Sequence, residues 1–363
     1  MLRPFVGNTI DGYLGDAIDG LALFAVVMGM AATLTSGLLV IGDGLRDTAG
    51  MMVTPRLYAI IALIIIGTAL FSASTGLHRG IQFLSRINTW FYFSAILFIF
   101  LLGPTSYILS LGVESFGIYL SEFFQRNLVT GASGNSQWPG WWTVAFFASW
   151  FAWAPLTSLF LGKIARGYRV RQFIIVNVVL PCIFGFMWFS TFSGSSLYFD
   201  DFLNGALYEA YQKTGFASVI YVLFKQYPAS SLISLLFIFV CFITFITAAD
   251  SNTDAIGGLC TEGTDADNLT SPLWVKAFWG CAIAFIAWIS ASYIGVDAVK
   301  MLFNLAGLPG MLIVIGAGIS LVRLCQMVKV IDGIALLTPD SIEKYSFNLT
   351  SFINSTRTLI KRL

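Results

Sequence analysis

The feature that most constrains this chain is a series of about eight apolar runs, each near the 20 residues that an α-helix needs to cross a bilayer. Their approximate limits are Ala22 to Ile41, Leu57 to Ser74, Thr89 to Gly112, Trp142 to Leu161, Phe173 to Phe192, Ser230 to Ala249, Trp274 to Ile294 and Met301 to Val322. Composition agrees: 57% of the 363 residues are hydrophobic and only 11% are charged, too little polar surface for a water-soluble globule. The expected fold class is therefore all-α and polytopic, a single transmembrane domain over residues 1–328 followed by a tail over 329–363.

Several function classes fall away at this stage. A formal net charge of +1 gives no basic excess for nucleic acid. Cys182, Cys241, Cys260, Cys281 and Cys325 are scattered without C-x-x-C spacing and read as small hydrophobes, not metal or disulfide partners. His78 is the only histidine, which removes histidine metal clusters and a Ser-His-Asp triad. No metal, no cofactor and no enzymatic activity is expected.

The first twenty residues are polar and glycine-rich, unlike a cleavable signal, so the first apolar helix is expected to act as its own targeting signal. Between the third and fourth runs, Val113 to Val129 mixes acids with aromatics at helical spacing and predicts a helix along the interface. Phe216 to Tyr227 is too short to span and reads as a second interfacial piece. Arg79 and Arg86, then Lys163, Arg166, Arg169 and Arg171, then Arg323 and Lys329 follow even-numbered runs, which places both termini in the cytoplasm of a plasma (inner) membrane protein. Past Asp332 the apolar runs stop, and the tail ends in Lys361 and Arg362, a membrane-proximal basic patch. Asn268, Asn348 and Asn354 head N-x-S/T triplets, all on the cytoplasmic side of this topology and so poor glycosylation acceptors.

Chemistry concentrates between Trp141 and Phe173. Phe147, Trp150 and Trp153 recur at i, i+3 and i+6 just before Pro155, near one stripe of a helix. A stripe of π-faces inside a membrane suits a permanent, diffuse cation. Each ring contributes on the order of 0.5 to 2 kcal/mol, so several are needed. Aromatics near helix ends ordinarily form the interfacial belt, and Trp138, Trp141 and Trp142 are read that way. Trp150 and Trp153 lie two to three turns deeper, where belt and binding readings both stand.

The whole stretch resembles the betaine/choline/carnitine transporter family, whose hallmark helix is Trp-rich, reaches a Trp-x-Pro and runs into an Arg-Gly basic loop. Here these stand as Trp142-Thr143, Trp150, Trp153-Ala154-Pro155, Lys163 to Gly167 and Arg171-Gln172-Phe173. Other segments are similar to the family in the same order: Asp19 through Gly29 with Thr33-Leu34; Ser74 to Leu77 with Arg79 to Ile81, Leu84-Ser85 and Asn88; Pro181 with Phe184 and Trp188 to Ser190; Thr247 with Ala249-Asp250-Ser251; and Phe278-Trp279-Gly280. Coverage runs from about residue 2 to about 328.

The resemblance implies two inverted five-helix repeats around a midplane site and alternating access by a carrier of glycine betaine, choline or carnitine. Trp150 and Trp153 would grip the trimethylammonium group with Phe147 nearby, and the resemblance also implies a homotrimer. It further implies twelve spanning helices, of which this chain begins just before the fifth, so the expectation carries an alternative: a truncated, transport-inactive binding or scaffold remnant.

The hallmark helix is also thinned, with Phe147 and Ser149 where the family tends to show Trp. Sodium-coupled relatives place hydroxyls on the first and sixth runs of this chain. Here Thr33 and Thr247 keep theirs, but Val26, Met30 and Ala248 do not, and alkyl groups cannot replace a sodium ion's hydration shell. Sodium-independent exchange, proton coupling or lost coupling is expected. Asp250, at the end of the sixth run, is either solvated or a structural or gating residue. Arg166 is a topology determinant with a share in inner-gate salt bridges. Gly29 and Gly37 are expected to permit close helix packing.

Overall fold

The computed structural model describes residues 2–75, 78–165, 167–261 and 272–335. Among the described residues all regular structure is helical. The principal helices are α1 (Tyr13–Ala49), α2 (Pro55–Thr75), α3 (His78–Leu102), α4 (Thr105–Ser121), α5 (Ala145–Ile164), α6 (Leu180–Phe202), α7 (Ala206–Thr214), α8 (Phe216–Phe224), α9 (Ser230–Leu259), α10 (Leu273–Ile289) and α11 (Val296–Ala335). Eight helical stretches among the described residues are long and apolar enough to cross a membrane, one for each apolar run in the sequence.

The third run ends earlier than its hydrophobicity suggested. Pro104 has no N–H for the Phe100 carbonyl, so the helix stops at Leu102, and the Thr105 hydroxyl donates to that carbonyl instead, at 2.5 Å. The chain restarts at once as α4, which takes in Thr105 to Gly112 and ends at Ser121; the expected interfacial helix over Val113 to Val129 is thus the second half of α4 plus a short helix, Phe123–Asn127. Gly112 and Gly194 let α4 lie close against α6, at Ser190 and Ile108 respectively.

The second expected interfacial piece is instead built into the core. Tyr221 on α8 is only 1% exposed and donates to the Val40 carbonyl of α1 at 2.8 Å, while Tyr227 donates to Ser195 Oγ at 3.1 Å. Burial pushes both hydroxyls above the ordinary tyrosine range, so they stay protonated donors. Lys225 pairs with Asp47 beyond the same helix. Ahead of α8, Asp200 accepts the backbone N–H groups of Leu207 and Tyr208 at 2.8 and 3.0 Å, which satisfies orphan donors at the start of α7.

The described residues divide into two compact units, those of 2–18 with 312–335, and those within 19–311. In the smaller one, a helical turn, Arg3–Val6, lies on the distal half of α11. Arg323 donates to the carbonyls of Pro4 and Phe5 at 3.2 and 3.0 Å, and its guanidinium sits 5.4 Å over the Phe5 ring. α11 continues to Ala335, past the expected start of the tail, and the rest of the tail lies outside the described residues.

In the larger unit α1 is the axis of the core. Ala25, Ala31, Ala32, Leu34, Leu38 and Ile41 are fully enclosed, and buried residues of α2, α3, α8, α9 and α10 complete the cluster around them. Without a strong aqueous drive between apolar helices, close approach depends on small residues. A side chain at Gly29 would stand 3.0 Å from the Ala152 Cβ of α5, and one at Gly37 would stand 2.6 Å from the Phe245 ring of α9. α1 is therefore clasped between α5 and α9.

Candidate solute-binding site

α5 is preceded by a wide π-turn, Gly140–Val144, and carries Pro155 inside it. Pro155 leaves the Phe151 carbonyl without its i+4 donor, and that carbonyl faces Gly310 of α11 so closely that no Cβ could be accommodated there. One turn away, a Cβ on Gly307 would lie 2.5 Å from Ala148. α5 is thus fixed at its proline by α11 on one side and by Gly29 of α1 on another.

This seating decides where the aromatic stripe points. Steps of three residues turn a helix face by about 60° each, so Phe147 and Trp153 diverge by about 120°. Trp153 turns inward and packs, half-buried, against the core cluster. Trp150 and Phe147 remain 63% and 49% exposed. The rings they meet are on their own helix: Trp150 edge-on to Phe146 at 6.2 Å, and Phe147 beside Phe151 at 6.3 Å. Ser149 donates back to the Phe146 carbonyl at 2.6 Å. Trp138, Trp141 and Trp142 are exposed near the start of the span, with Lys300 5.8 Å over the Trp142 ring.

The positions tied to ion coupling lie on α1 and α9. Thr33 donates to the Gly29 carbonyl at 3.0 Å, and Thr247 to the carbonyls of Ile243 and Thr244 at 3.0 and 2.9 Å, so both hydroxyl protons are spent within their own helices. Val26 and Met30 are buried. The Asn252 amide donates to the Met30 thioether at 2.8 Å, joining α9 to α1 across 222 residues. Asp250 is buried one turn from Thr247. Arg166 lies outside the described residues.

A further polar cluster was not singled out from the sequence as a site. Asn88 Nδ2 donates to Thr244 Oγ1 at 2.7 Å, and the Tyr92 hydroxyl lies 2.9 Å from the same oxygen. Thr244 donates to the Val240 carbonyl, so its oxygen accepts from both α3 side chains. Trp188 of α6 stands edge-on to Tyr92 at 5.6 Å. The signal was present, since Asn88 and Thr244 are polar residues in apolar surroundings, but 156 residues separate them.

Among the described residues, eight helices long and apolar enough to cross a membrane, several of them meeting closely at glycines, with polar groups and aromatics inside, define a polytopic α-helical membrane protein. More specifically, the chain belongs to the betaine/carnitine/choline transporter family, whose sequence model matches residues 1–329. The resemblance seen in the motifs is thereby established, and with it membership of a family of transporters, not enzymes. Among its relatives are the ectoine/hydroxyectoine transporter of Virgibacillus pantothenticus, 31% identical over 85% of this chain and 60% of the relative, and the glycine betaine transporter OpuD of Bacillus subtilis (strain 168), 31% identical over 86% and 60%. The high-affinity choline transport protein of Escherichia coli (strain K12) is 30% identical over 85% of this chain and 45% of its own length. The chain spans about half of the length of such relatives.

Proposed function

We propose that this protein takes part in moving a quaternary-ammonium solute, glycine betaine, choline or carnitine, across the plasma membrane by alternating access. Trp153 is the principal contact to the trimethylammonium group, with Trp150 and Phe147 on the same wall. The observation that carries this reading is the placement of Trp153: an indole turned toward the core two residues before Pro155, on a helix held by three glycines. An indole face there offers a desolvated cation an electrostatic partner without a competing carboxylate. Relatives that carry glycine betaine and choline support the substrate class. Thr33, Thr247 and Asp250 belong to the coupling and gating apparatus in this reading, Arg166 to the inner gate, and the assembly is a homotrimer.

A second reading, a membrane binding or scaffold protein that moves no solute, is favoured by the exposure of Trp150 and Phe147, whose aromatic neighbours are on their own helix. One experiment separates the two. In proteoliposomes, the protein should accumulate radiolabelled betaine or choline, and Trp153→Leu should reduce uptake at least tenfold while membrane insertion stays intact. Absence of uptake by the parent chain with retained tryptophan-fluorescence quenching by choline would favour the scaffold; uptake unchanged in Trp153→Leu would remove Trp153 from the site.

A further inference from the structure

The first apolar run stops at Ile41, but α1 continues to Ala49, and this extension carries Asp43, Arg46 and Asp47. Asp43 is enclosed by protein, only 6% exposed, and its ion-pair partner among the described residues is Arg46, 2.9 Å away and one turn further along the same helix. An ionisable side chain enclosed in a membrane span is costly, and such residues mark ion and proton paths.

The groups around it are specific. The Tyr58 ring of α2 lies against Gly42, within electrostatic reach of Asp43 and Arg46. The Tyr221 hydroxyl of α8 stands at Gly44, in reach of Asp43, Asp47 and Cys241 of α9, but gives its proton to the Val40 carbonyl. Lys225, just past α8, is paired with Asp47. That pair joins α1 to a segment 178 residues away and acts as a tether. The pair of Asp43 with Arg46 lies within one helix and joins no two elements. Desolvating a carboxylate can cost more than such a pair returns, so stability alone gives no account of Asp43. The two partners also differ in access to water: the Arg46 side chain is 40% exposed and that of Asp43 is 7%. Arg46 can turn into water and Asp43 cannot. A carboxylate left enclosed without its partner takes up a proton.

We propose that Asp43 carries the coupling proton of this transporter. A proton converts the Asp43 carboxylate to the neutral acid as Arg46 turns to water, and the cluster gains one positive charge; loss of the proton re-forms the pair. The alkyl and thioether side chains at Val26, Met30 and Ala248, which leave a sodium ion few oxygens, fit the same assignment. It rests on the transport reading above.

The test uses the full chain in sodium-free proteoliposomes with the membrane potential clamped at zero. Counterflow of radiolabelled choline, which needs no net proton movement, tests the transport reading; accumulation driven by a lower external pH tests the proton. One pH unit should drive accumulation of up to about tenfold at one proton per solute. Asp43→Asn, which fixes the side chain in a neutral form, should continue counterflow and lose the pH-driven accumulation, and Asp43→Glu, which can again bind a proton, should restore it. Should Asp43→Asn fail to insert, Arg46→Gln reads the same point, because an unpaired Asp43 stays protonated: counterflow should continue and pH-driven accumulation should be lost. Counterflow without pH-driven accumulation in the parent chain would overturn the proposal and leave the transport reading standing. So would pH-driven accumulation that survives in Asp43→Asn or Arg46→Gln. Loss of counterflow in Asp43→Asn with no recovery in Asp43→Glu would make Asp43 a structural residue and overturn its role as proton carrier. Absence of counterflow in the parent chain would remove the transport reading itself, and this proposal with it.

Discussion

Met30 shows how one side chain changes what its surroundings can hold. A threonine there would present a hard oxygen toward α9; the thioether presents a soft, weak acceptor, and Asn252 has turned its amide onto it. Val26 is buried alkyl and Ala248 carries no oxygen, which leaves two hydroxyls, Thr33 and Thr247, among these five positions. This side-chain set offers poor replacement for the hydration shell of a sodium ion. Uptake should therefore continue when external sodium is exchanged for potassium. Strict sodium dependence, read as loss of accumulation in potassium medium, would show that the ion finds oxygens elsewhere. Asn88 illustrates the opposite imbalance: its Nδ2 is satisfied by Thr244, but its buried Oδ1 has no partner among the described residues. Such an orphan acceptor costs about 1–3 kcal/mol, a cost that another conformational state with a donor in reach would remove.

At the scale of elements, the contact between α5 and α11 holds the aromatic wall in place. The two helices cross where Gly307 meets Ala148 and Gly310 meets the carbonyl that Pro155 leaves free. Gly307→Leu should force them apart, destabilising the fold by about 1–3 kcal/mol or more through overpacking, and should rotate Trp153 away from the core. Thermal unfolding in detergent checks the first effect, and Gly67→Ala provides the control. Gly67 has no neighbour within 4 Å of an added Cβ, so that substitution should be neutral or slightly stabilising. If Gly307→Leu melts like the parent, the crossing is not as tight as its geometry requires. The helix break at Gly103–Pro104 belongs to the same scale. Hydrophobicity runs through it without interruption, yet a missing N–H ends the span.

For the whole molecule, the Arg and Lys residues that follow the even-numbered apolar runs lead us to expect both termini on the cytoplasmic side. A fluorescent-protein fusion at the C-terminus should fluoresce in cells and an alkaline phosphatase fusion at the same point should be inactive; the reverse pattern would invert the topology.

The sequence by itself determined the fold class, the number of spans, the family and the helix that bears the tryptophans. These properties are local: an apolar run of about 20 residues and a Trp-x-Pro motif are complete within one segment. Only the tertiary structure decided which faces of those helices are inside. In a bilayer a helix is apolar on the lipid side as well as the core side, so periodicity carries little burial information. α1, with most of its apolar window buried, and the span Val170–Phe202, with none of its apolar window buried, read alike as apolar runs. Hence the sequence could align Phe147, Trp150 and Trp153 on a stripe, but not foresee that α11 and α1 would turn one inward and leave two exposed. It likewise placed Phe216 to Tyr227 at the interface, because the acceptors of its tyrosines, Val40 and Ser195, belong to other helices. The partnerships of Asn88 with Thr244 and of Met30 with Asn252 have the same origin, since packing alone brings such distant residues within hydrogen-bonding reach.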